Sequence, residues 1–157
     1  MHNRPRRPAL ACGALVLLAC TAIAQGPALT TPPAATGEIR VTVTGFKDEK
    51  GQALVSLFLN DKGWPNDHAL AFSSVVLPIQ NNQAVATFEN VPAGSFAVSA
   101  YHDENGNRKL DTRMFGIPKE AYGFSRDARG TFGAPSFDAA RLELAPADST
   151  SIPIKVH

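Results

Sequence analysis

The strongest constraint on this chain is a two-residue rhythm that begins at Gly37 and keeps returning between turn residues. In GEIRVTVTGF, Ile39, Val41 and Val43 fall on one side and Arg40, Thr42 and Thr44 on the other. Successive side chains of a strand point to opposite faces, so this alternation predicts a half-buried β-strand. A charged turn, Lys47-Asp48-Glu49-Lys50-Gly51, leads to residues 53–59, where Val55, Leu57 and Leu59 share a face. The two segments read as a hairpin with a longer loop. Further strands are predicted over 71–79, 84–88 and 95–102, with turns at Gln80-Asn81-Asn82-Gln83 and Asn90-Val91-Pro92-Ala93-Gly94. Residues 141–144 and 151–156 are the last two strands. Roughly seven short strands without a convincing amphipathic helix predict an all-β, antiparallel sandwich of prealbumin-like or Ig-like type, with a barrel as the alternative. A long ordered loop, residues 103–138, precedes the last two strands.

The first residues have a different character. Arg4, Arg6 and Arg7 precede an uncharged apolar run over residues 9–24 that ends in Ala22-Ile23-Ala24. The run is short for a bilayer span, which needs about 20 apolar residues. A basic start, an apolar middle and small residues at the cut describe a signal peptide over 1–24, cleaved before Gln25. The protein is then expected in the periplasm or secreted, with no transmembrane helix in its mature form. Leu17-Leu18-Ala19-Cys20 offers a second export route, lipidation of Cys20, although Leu18 is large for that box. An uncleaved N-terminal anchor is the remaining reading. Residues 25–36, rich in Pro, Ala and Thr, are a flexible leader, and 37–157 are the sandwich domain. Cleavage leaves 157 − 24 = 133 residues and removes three Arg and both Cys, Cys12 and Cys20. The mature charge becomes mildly acidic, which argues against a nucleic-acid partner. A disulfide or a Cys-based site is excluded for that form.

One stretch suggests chemistry. Asp103, Asn105, Asn107 and Asp111 stand at relative positions one, three, five and nine, with the Lys109 carbonyl at position seven. Alternating oxygens closed by a carboxylate suit a hard cation such as Ca²⁺, which takes about six to eight oxygens. Arg108 stands where a tight calcium loop normally has Gly, and Met114 where a closing Glu would be. A bound calcium would therefore be structural and weak, about 10⁻⁴–10⁻³ M. The same residue types also make plain turns through side-chain-to-backbone hydrogen bonds, so a metal-free loop is the competing expectation.

Downstream, Phe115, Tyr122, Phe124, Phe132 and Phe137 alternate with Lys119, Glu120, Arg126 and Arg129. Long loops of this kind are usually functional or disordered, and this one is not composed like a disordered tail. The aromatics either fold back as a satellite core or line a binding cleft. In the second case Trp64 and Tyr122 stack on a ligand beside Phe124 and Glu120, and Lys119 or Arg126 holds an acidic group. A carbohydrate or a segment of an envelope protein suits such a surface.

The run FENVPAGSFAVSAYHDENGNRKLDT, followed by FGIPKEAYGFS, resembles a bacterial exported family known as domain of unknown function 2141. The resemblance spans residues 37–157. It implies export and a transthyretin-like sandwich, and supplies no established activity or catalytic residue. No phosphate-cradling Gly loop, Gly-x-Ser-x-Gly elbow or His-Glu-x-x-His pair occurs. The expectation is a non-enzymatic binding or envelope-associated module. Two alternatives remain: a small metal-dependent hydrolase using His102, Asp103, Asp111 and Glu120, and a structural subunit assembling through its strand edges.

Overall fold

A computed structural model describes residues 35–157, apart from the side chain of Phe115. The expected signal segment 1–24, with Cys20, and all but the end of the leader lie outside the described residues. Eight strands form an all-β sandwich: β1 (Thr36–Thr44), β2 (Gln52–Phe58), β3 (Ser73–Leu77), β4 (Gln83–Pro92), β5 (Gly94–Asp103), β6 (Tyr122–Phe124), β7 (Leu142–Leu144) and β8 (Ser149–Lys155). Among the described residues one short α-helix, α1, spans Phe137–Ala140, and two 3-10 turns span Met114–Gly116 and Ser125–Asp127. One sheet has the order β4-β1-β8. The other runs β3-β2-β5-β6, and β7 pairs with another stretch of β5.

The alternating residues build the core between the sheets. Ile39, Val41 and Val43 of β1 meet Ala53, Val55 and Leu57 of β2, with Phe88 of β4 and Phe96 and Val98 of β5. Fully burying such a side chain stabilises the fold by about 1.5–3 kcal/mol.

Three expectations are corrected. The first two strands are not a hairpin: β1 pairs with β4 and β8, whereas β2 pairs with β3 and β5. Residues 45–51 carry the chain from one sheet to the other. Alternation cannot separate these cases, because pairing edge to edge and stacking face to face both turn the apolar side inward. The sandwich is also not wholly antiparallel, since β8 runs parallel to β1 from Glu38↔Ser149 to Thr44↔Lys155. Finally, the long loop is not wholly irregular: three of its residues form β6, which makes eight strands among the described residues.

The Asn81-Asn82 corner has both φ angles positive, at 51° and 58°, and two backbone hydrogen bonds join Gln80 and Gln83 across it. Asn tolerates that geometry better than most residues, as primed turns require. No helix among the described residues is long and apolar enough to cross a membrane.

Candidate functional site

β2 and β5 are buried along almost their whole length, on both faces. One face looks into the core. The other carries Gln52, Leu54, Ser56 and Phe58 opposite Asp103, Tyr101, Ser99 and Ala97. Water is kept from this outer face by two loops, residues 59–72 and 104–140, and their contacts divide it into three zones.

The first zone is aromatic. Phe58, Ala97, Phe124, Phe137 and Ala140 form a second cluster, with Trp64, Ala71, Tyr122 and Ala128 against it. Trp64 stands edge-on to Phe58 and Phe137, with ring centroids 5.4 and 5.9 Å away. Its indole N–H donates to the Pro135 carbonyl at 2.8 Å. Ser125 fastens this roof to the sheet: its hydroxyl donates to the Ala140 carbonyl and accepts from the Val98 N–H.

The middle zone is polar. The Ser56 hydroxyl lies 2.8 Å from both His68 Nδ1 and the Ser74 hydroxyl. The Ser99 hydroxyl donates to the Pro65 carbonyl. The Tyr101 ring lies 5.5 Å from the His68 imidazole, and its buried hydroxyl has no partner among the described residues. Burial lowers the His68 pKa, and the charge of Asp67 partly opposes that shift. Burial raises the Tyr101 pKa, helped by the negative charges of Asp103 and Glu120.

The third zone is the acidic loop at the end of β5. The fully buried Asp103 accepts four N–H donors: Gly106 and Asn107 on Oδ1, Arg108 and the Gln52 side chain on Oδ2. A carboxylate has about four lone-pair sites, so these fill it. The Asn105 and Asn107 amides donate to the two oxygens of Asp111, at 2.8 and 2.9 Å. Their own oxygens accept from the N–H groups of Asn107 and Lys109. Glu120 is buried, and its two oxygens accept from Glu104 N–H at 2.9 Å and Asp111 N–H at 2.8 Å. Arg108 takes φ = 60°, a left-handed conformation that costs a non-Gly residue about 1–2 kcal/mol.

Three cavities line up over this outer face. The first, about 470 Å³, is walled by Asn66, Asp67, His68, Ala69, Arg108, Lys109, Leu110 and Thr112. The second, about 140 Å³, shares Asn66, Leu110 and Thr112 with it and adds Gly116, Pro118, Tyr122, Phe124, Gly133 and Ala134. The third, about 150 Å³, shares Tyr122, Phe124 and Gly133 with the second and reaches Arg129 and His157. Through these shared residues the three cavities adjoin in a row, as a segmented groove. Tyr122 and Phe124 are fixed at its centre because β6 pairs with β5 and Tyr122 also bonds to the backbone of His157. Gly123 allows this: a Cβ there would collide with the Lys155 carbonyl of β8.

Residues 41–152 match a family described as "Uncharacterized protein conserved in bacteria (DUF2141)". The chain belongs to this family. No curated protein and no solved structure matches it. The matched region of this DUF2141 domain runs from within β1 into β8, and so contains both loops and every groove residue except His157.

The sequence-derived site residues divide cleanly. Tyr122 and Phe124 line the groove of the DUF2141 domain. Trp64 is in the aromatic roof, and Glu120 ties the acidic loop together. Lys119 and Arg126 are exposed and line none of the three cavities; the Arg126 guanidinium approaches the Arg141 carbonyl instead. Asp103, Asn105, Asn107, Lys109 and Asp111 are brought into one hydrogen-bonded loop. Among the described residues no three His, Cys, Asp or Glu side chains form a group able to hold a metal. The hydrolase quartet does not converge on an open cavity. His102 is buried, bonded through Nε2 to the Lys50 carbonyl and edge-on to Phe46, while Glu120 is engaged by backbone N–H groups. Sequence reasoning missed His68, Arg108 and Thr112 as groove walls. Their only prior signal was a place in the two longest loops.

Proposed function

We propose that the DUF2141 domain is an exported, non-enzymatic binding module whose ligand lies in the groove over the outer face of the β2–β5 sheet. The observation that carries this reading is that the three cavities adjoin in a row, the first two sharing Asn66, Leu110 and Thr112 and the last two sharing Tyr122, Phe124 and Gly133. Aromatic walls with a few convergent polar groups suit a small molecule, a sugar or an extended segment of an envelope protein. Export rests on the N-terminal basic and apolar segment, with the periplasm or the exterior as destination, or a lipid anchor at Cys20. The non-enzymatic reading rests on the engagement of the carboxylates in holding the loop rather than in facing an open cavity.

The test is titration of the isotopically labelled protein with oligosaccharides and peptides of the bacterial envelope, followed by backbone amide shifts. Shifts centred on Asn66, Leu110, residues 122–124 and Gly133 support the reading. A saturable ligand that leaves those amides unmoved overturns it.

The acidic loop is part of the same proposal, as a weak structural calcium site formed by Asp103, Asn105, Asn107, Asp111 and the Lys109 carbonyl. Half-turn rotation of the Asn105 and Asn107 amides would put oxygens where N–H groups now face Asp111. That rotation gives up four hydrogen bonds, and Asp103, whose lone pairs are filled, must release at least one of its own N–H donors, which is why the affinity is weak. With a Kd of about 1 mM, about 10 mM Ca²⁺ stabilises by about 1.4 kcal/mol, or about 3–6 °C in Tm. A Tm unmoved by Ca²⁺ in the protein, and equally unmoved in Asp111→Ala, sinks this site.

A further inference from the structure

We propose that the end of the groove walled by His68, Arg108 and Lys109 receives the phosphate of an organic phosphate, whose ring or apolar body lies over Tyr122. The inference rests on the groove reading above and names the ligand's charged group. Two charged side chains, Arg108 and Lys109, and the His68 imidazole share this cavity with one carboxylate, that of Asp67, which already accepts the Ala69 N–H. Arg108 and Lys109 have no ion-pair partner among the described residues; the ion pairs present involve Arg129, Arg141 and His157. His68 is held through Nδ1 by Ser56, and its Nε2 has no partner among the described residues. The neighbouring acids make no ion pair with Arg108 or Lys109 among the described residues. Asp103 and Glu120 are buried against N–H donors, and Asp111 is covered by two amides.

Arg108 is set by the loop. It holds a left-handed backbone in a loop position that glycine would fill without strain. The Arg108 N–H is held by Asp103 Oδ2 at 2.8 Å, and the side chain walls the cavity. A guanidinium and an ammonium together match a phosphate dianion better than a singly charged carboxylate. Asn66 and Thr112 add neutral hydrogen-bonding groups, and the adjoining cavity offers Leu110 and Tyr122 to the body of the ligand.

Phenyl phosphate and phenol are the probes, titrated into the full chain and into Arg108→Gly, Lys109→Ala and Tyr122→Ala. Phenyl phosphate is expected to bind at least about tenfold more tightly than phenol. Arg108→Gly and Lys109→Ala are each expected to weaken phenyl phosphate about tenfold and to leave phenol unchanged. Tyr122→Ala is expected to weaken both probes. Arg108→Gly relieves the left-handed strain, so its Tm should equal or exceed that of the parent, which separates lost binding from lost folding. Equal affinity for the two probes, with Arg108→Gly silent, overturns the phosphate site and leaves the groove standing. Phenyl phosphate binding that needs Arg108 but ignores Tyr122 supports the phosphate site and overturns the groove that joins it to β6. Failure of both probes to bind at about 10 mM overturns the inference.

Discussion

Replacing Glu120 by Ala is the sharpest test of how the acidic loop is held. The side chain is 3 % exposed, and it closes residues 104–111 against the body through two N–H···carboxylate bonds, at 2.9 and 2.8 Å. Hydrogen bonds to a charged group each contribute about 1.5–3 kcal/mol. Both N–H groups are partly accessible, so water recovers some of that once the carboxylate is gone. The net loss should be about 2–4 kcal/mol. Glu120→Gln keeps one acceptor oxygen and turns an amide N–H₂ toward the other donor, so it should lose about 2 kcal/mol. Urea unfolding at unchanged m-value measures the loss, and hydrogen exchange at the Glu104 and Asp111 amides reports the local opening. A surface residue that only touches a ligand would change stability by no more than about 0.5 kcal/mol. A loss that small for Glu120→Ala, with both amides still protected, would refute the loop-closing role.

Two further outcomes follow from the polar zone beneath the roof. Tyr101→Phe removes a buried hydroxyl that has no partner, so stability should stay level or rise by about 1 kcal/mol in chemical unfolding. Because the folded pKa of Tyr101 is raised, its contribution is complete below about pH 10 and is lost as the pH rises further. The Phe variant should therefore lose less stability in strong alkali than the parent. His68 has the opposite dependence. Its folded pKa lies below the ordinary 6.5, so the unfolded chain takes up the proton first. Stability should be complete above that value and decline as the pH falls below it, until the folded form is protonated too. His68→Asn should flatten this part of the profile, and a parent profile already flat between about pH 7 and 5 would refute the assignment.

The alternation of Ile39, Val41 and Val43, and of Val55 and Leu57, was enough to identify strands and the core face of each. It did not reveal which strands are neighbours, because inward-facing apolar residues satisfy a hairpin and a sheet crossing equally well. The acidic loop was legible as a turn built on Asp103, and its four donors come largely from the next few residues, as local hydrogen-bond chemistry allows. The loop-closing bonds of Glu120 were not legible, because its partners lie 16 and 9 residues away, a separation that no local pattern encodes. Trp64 is similar, since its anchor at Pro135 is 71 residues distant.

Composition and periodicity by themselves determined an all-β domain with a turn-forming acidic loop and an aromatic segment, because these follow from local backbone preference and two-residue side-chain alternation. Only the tertiary structure decided that β1 and β8 run parallel, that Tyr122 and Phe124 serve both the roof and the groove, and that His68 lines one cavity with Arg108 and Lys109. Those facts depend on contacts between distant segments, whose free energy comes from water excluded when the two loops close over the outer face of the sheet.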